Sequence, residues 1–105
     1  MDLNFEEIFK GMISVFSNNL KEGGEEAITY GQKVLTERKA GIEKISKVFA
    51  KRFENLLKQY ESELEDEKTT LQSQLLAGEV IVKSTAQKAI NETMDFLVGA
   101  IKKFI

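Results

Sequence analysis

"IEKISKVFAKRFENLLKQYESELEDEKTTLQ", Ile42–Gln72, decides how this chain folds. Its apolar positions include Ile42, Ile45, Phe49, Phe53, Leu56, Tyr60 and Leu64. Their steps of three and four are those of a helix with one apolar face. The steps sum to an eleven-residue period rather than a seven, which keeps the stripe nearly straight along a helix. The same phase continues through Leu71, Leu75, Val82 and Ala86 to Leu97 and Phe104, with Glu67 and Gly78 as its flaws. Two readings follow. Residues 25–105 form either one helix of ~120 Å or a helix that folds back.

The fold-back is the preferred reading, with its turn at Asp66–Thr70. The acids of "ESELEDE" (Glu61–Glu67) repel one another in a continuous helix and sit easily in a solvated turn. Thr69, three residues before Gln72, has the spacing of a capping box. A turn there leaves two arms of similar length, ~63 Å and ~54 Å.

Outward from this stretch, everything favours helix. The 105 residues contain no Pro, so nothing removes a backbone N–H or clashes with a preceding turn. Apolar residues make up 42% and charged residues 30%, enough of each for a core and a solvated surface. Seven Phe argue against a disordered chain. Near the start, Phe5, Ile8, Phe9, Met12, Ile13, Val15, Phe16 and Leu20 share a helix face, with Asn4 and Glu7 as a capping box. Gly23 and Gly24 end that helix. "EVIVKS" (Glu79–Ser84) has strand-like composition, but a lone strand among helices has no partner, so it reads as helix.

The expected fold is therefore all-α and spans 1–105 as a single helical domain. A short amphipathic helix (about 4–22) precedes a long antiparallel hairpin, bundle- or coiled-coil-like, of helices at about 25–66 and 70–104. Ile42 is then expected beside Met94, Ile45 beside Ile90 or Asn91, and Leu35 beside Ile101.

Chemistry is sparse. With no Cys and no His, disulfides, thiolate metal sites and Ser–His–Asp or Cys–His catalysis have no residues to use. Phosphate-binding Gly motifs and Glu-x-x-His metal pairs are also missing from the sequence. The expectation is a protein that is not an enzyme, with no cofactor and no metal. "ESELEDE" lacks the Gly that bends a calcium loop. Between Glu37 and Lys58, seven basic residues face three acids, the balance of a charged helix face rather than a phosphate-binding one. The net charge of −2 also speaks against nucleic acid as a partner. The Asn91–Thr93 sequon lies in an expected helix and reads as chance.

Two helices and one short one leave part of a long apolar stripe uncovered. The expected role is thus a helical interaction or assembly module, with a second copy or another helical protein on Ile42, Ile45, Phe49, Phe53, Leu56, Tyr60 and Leu64. Phe96 lies off the apolar face of the last helix and joins this partner set. The alternative is a peripheral lipid-surface protein. Both ends are Phe-rich amphipathic helices, and "FLVGAIKKFI" (Phe96–Ile105) adds two lysines suited to anionic lipid. Met1 leads into acids rather than a basic, apolar leader, and the longest Gly-free apolar run is three residues, so the expected location is cytoplasmic.

Overall fold

The structure is a computed structural model describing residues 3–104, with side chains described for 3–50 and 62–103. The described residues are all-α, with four helices: α1 (Phe5–Leu20), α2 (Gly24–Glu37), α3 (Lys39–Ala77) and α4 (Lys83–Phe104). A single 3-10 turn, Lys21–Gly23, joins the first two.

α1 starts where Asn4 accepts a hydrogen bond from the Glu7 N–H, at 3.4 Å. Glu6 and Glu7 lie in the first turn, where negative charge suits the helix dipole. Its inner face is Phe5, Phe9, Met12, Phe16 and Leu20, all buried. At its end Gly24 takes φ +81°, a conformation costly for any residue with a Cβ. α2 then returns antiparallel to α1. Gln32 Nε2 donates to Ser17 Oγ at 2.8 Å, and Lys39 Nζ reaches Glu6 at 2.7 Å. Gly31 permits this approach, because a Cβ there would overlap Leu20 Cδ1.

The α2–α3 boundary is one residue, Arg38, at φ −94° and ψ 0°. Its N–H still reaches back to Leu35 O at 3.1 Å, so the chain kinks here without reversing.

α3 carries the reversal. It has 39 residues, which a straight helix would stretch to ~58 Å. The whole molecule measures 39 × 24 × 19 Å. Arg38 and Glu67 are 29 positions apart and hydrogen-bonded, where a straight helix would hold them ~44 Å apart. Gly41 faces the Glu67 carboxylate as well, with Oε2 3.5 Å from where its Cβ would stand. These pairs bring the described residues on either side of 51–61 together, so the chain doubles back between Ala50 and Ser62. The C-terminal part of α3 runs back along α2, and Tyr30 Oη donates to Gln74 O at 2.6 Å.

α3 and α4 form the next antiparallel pair. Glu65, Lys68, Thr69 and Gln72 line one cleft with Gln87, Ile90 and Asn91. The connection is Gly78–Val82, with Glu79 at φ +58° and Ile81 turned into the core. α4 closes the structure against α1. The Phe96 ring covers Gly11 near one end, and Leu20 and Ala27 share a pocket with Val80, Ile81 and Thr85 at the other.

Each rod is thus antiparallel to the next: α1, then α2 with the start of α3, then the rest of α3, then α4. This is an up-down-up-down four-helix bundle. Met12, Leu35, Leu71 and Met94, one from each rod, are all fully buried.

Four expectations are corrected. The break at Asp66–Thr70 is absent: these residues are helical, and Thr69 and Thr70 donate to the carbonyls of Glu65 and Asp66, each at 3.0 Å, instead of capping. The acids tolerate a helix because Glu67 meets Arg38 and Glu65 meets Lys68, leaving Glu63 and Asp66 exposed. The hairpin turn instead falls at 78–82, so "EVIV" is neither helix nor strand but that turn. The register shifts with it. Ile90 lies beside Thr69 and Gln72 rather than Ile45, and α2, which holds Leu35, packs on α1 and α3 rather than on α4.

Candidate functional site

The residues expected at a partner interface divide by position. Ile42 and Phe49 are buried, at 1% and 0% exposure, and Leu64 is buried at 7%. All three belong to the core of their own chain. Ile45 is half-buried and packs on that core. The side chains of Phe53, Leu56 and Tyr60 lie outside the described residues. Phe96, the residue off the apolar face, is 38% exposed and lies across Gly11 of α1. Its partner within the chain is a glycine notch, and the outer side of its ring faces solvent. Val48 and Val82 are the other exposed large apolar side chains among the described residues.

The most organised polar feature is Arg38 on Glu67. Nε meets Oε1 at 2.5 Å and a second guanidinium nitrogen meets Oε2 at 3.1 Å, a bidentate fork. Glu67 is nearly covered, while Arg38 keeps about a third of its side chain in solvent. Glu67 was a flaw in the apolar stripe as read from sequence, and here it is the anchor of the fold-back. Its hydrogen bond raises the Arg38 pKa above the ordinary arginine value. Burial acts in the opposite sense, and the Glu67 charge adds to the rise. Arg38 therefore stays charged throughout the usual pH range. Spacing gave no signal for this pair, because the two residues meet only across the reversal.

Three residues of the basic run are engaged with acids. Arg38 holds Glu67, Lys39 holds Glu6 while lying 5.3 Å from the Phe9 ring centroid, and Lys47 holds Glu43. Lys51, Arg52 and Lys58 have side chains outside the described residues. Among the described residues no group of three or more acids is arranged to hold a metal ion.

Both terminal helices turn their apolar faces toward each other. Phe5, Phe9, Met12 and Phe16 of α1, and Met94, Leu97 and Ile101 of α4, are buried, while Lys102 and Lys103 point outward. Reaching a lipid surface with these residues requires the bundle to open. No described helix is long and apolar enough to cross a membrane.

Two buried polar atoms have no hydrogen-bond partner among the described residues: Thr93 Oγ1 and Gln74 Oε1. Thr93 is fully buried in the α4 face.

A scan against protein-family models, a search of curated proteins and a search of solved structures each found no match to this chain.

Proposed function

We propose that this chain is a non-enzymatic helical assembly module that associates with a second copy of itself through α3. One observation carries the reading. Ile42, Phe49, Leu64, Leu71 and Leu75, all buried, fall in one helical phase even though the chain reverses between Phe49 and Leu64. A hairpin inside one chain requires no such continuity, since its two arms can bury any faces that meet. A stripe with one phase serves a helix that is also used straight.

A charge at Phe49 would break folding and assembly together, so the test uses the unaltered chain. Sedimentation equilibrium from nanomolar to high micromolar concentration should show a reversible monomer–dimer step. A mass that stays monomeric over the whole range contradicts the reading.

A further inference from the structure

We infer that two copies of this chain dimerise by exchanging halves: α3 straightens between Ala50 and Ser62, and its C-terminal part, with α4, completes the other copy's bundle. The inference rests on the self-association proposed above and specifies its geometry.

Three features support it. First, the segment joining the halves, "KRFENLLKQYE" (Lys51–Glu61), contains no Gly, no Pro and no Asn-Gly or Asp-Gly turn pair. Lys, Arg, Glu, Leu and Gln, which dominate it, are good helix formers. The other reversals are marked differently: Gly23 and Gly24 at one, Gly78 and a left-handed Glu79 at the other. A reversal made of helix-forming residues is one that the chain can replace by straight helix, and such hinges are where proteins swap domains.

Second, the apolar phase runs unbroken through the hinge. A straight α3 would display Ile42 and Phe49 on the same side as Leu71 and Leu75. Each half would still find the partners it has now, supplied by the other copy.

Third, the specific contacts between halves are self-complementary under exchange. Arg38–Glu67 and Tyr30–Gln74 each join the first half to the second. In an exchanged dimer each forms twice, between copies. Gln32–Ser17 and Lys39–Glu6 lie within the first half and stay within one chain. Exchange therefore loses no described contact and relieves a reversal that the local sequence disfavours.

The Arg38–Glu67 pair gives a direct test. Arg38→Glu alone puts two acids at the site, and Glu67→Arg alone puts two guanidinium groups there. When the two variants are mixed, an exchanged heterodimer restores both pairs. At one site the carboxylate introduced by Arg38→Glu meets the guanidinium introduced by Glu67→Arg. At the other, the unaltered Arg38 of the second variant meets the unaltered Glu67 of the first. Without exchange each copy keeps its own like-charged pair, and mixing changes nothing. The double variant Arg38→Glu/Glu67→Arg restores the pair in either architecture and controls for folding.

With one variant isotopically heavy, native mass spectrometry should show heterodimer in clear excess over random pairing. The mixture should also melt higher than either variant alone. Dimers that pair at random overturn the exchange while leaving self-association standing. A wild-type chain that is monomeric at every concentration overturns both.

Discussion

The ring of Phe96 on α4 lies directly over Gly11 on α1, where a Cβ would overlap its Cζ and Cε1 atoms. Both residues depart from the amphipathic pattern, one a bulky apolar side chain on a polar side, the other a missing side chain in mid-helix. Together they form a single contact. Gly11→Ala should push Phe96 toward solvent and be close to neutral, because the better helix propensity of Ala, about 0.5–1 kcal/mol, offsets the lost contact. In a Phe96→Ala background the same change should stabilise by about 1 kcal/mol. A thermal-melt double-mutant cycle measures the coupling. Additive effects would remove the contact.

Glycines elsewhere should answer differently according to what a Cβ would meet. At Gly31 it meets buried Leu20 and Phe16, so Gly31→Ala should destabilise by about 1–3 kcal/mol. At Gly99 nothing lies within 4 Å, so Gly99→Ala should stabilise by about 1 kcal/mol. Denaturant midpoints of the two variants should move in opposite directions.

The core Thr93 hydroxyl offers a gain. It is fully buried without a hydrogen-bond partner among the described residues, a state that costs about 1–3 kcal/mol. Thr93→Val keeps the shape and removes the polar atom. It should raise the melting temperature, with a gain of about 1 kcal/mol. A lower melting temperature would mean that the hydroxyl has a partner after all.

The C-terminal stretch should behave as core. Leu97 and Ile101 are fully buried. Leu97→Asp or Ile101→Asp should each unfold most of the chain at room temperature, since a buried unpaired charge is not tolerated. Lys102→Glu and Lys103→Glu are exposed changes at the helix end and should cost about 0.3–1 kcal/mol through the dipole. Circular dichroism melts give the ranking, and equal effects at all four positions would contradict it.

Helix content, the first helix, its Asn4 cap and the Gly23–Gly24 turn were legible in the sequence, because each depends on neighbours within a few residues. The positions of the later reversals were not. The turn at 78–82 has only Gly78 as a marker, and that glycine is right-handed. It serves to accept the Tyr30 ring, while the left-handed residue is Glu79. The Lys51–Glu61 reversal has no local marker at all. Glu67 read as a defect because its partner Arg38 is distant in sequence, and Thr69 read as a cap although its hydroxyl bonds back to Glu65 within the helix. Ile42, Phe49 and Leu64 were legible as buried residues. What the pattern could not distinguish was burial in their own bundle from burial against a partner, since both require the same face.

The bundle depends on α3 doubling back within the monomer, and a spin-label distance across it is the most direct test. Labels at Ala40 and Thr69, both exposed, with the labelled chain diluted in unlabelled protein and the monomer fraction isolated, report the separation of the two halves. Packed helix axes lie about 8–10 Å apart, so the distribution should centre below about 25 Å. A monomer in which it centres near ~44 Å, the spacing of a straight helix, would contradict the bundle.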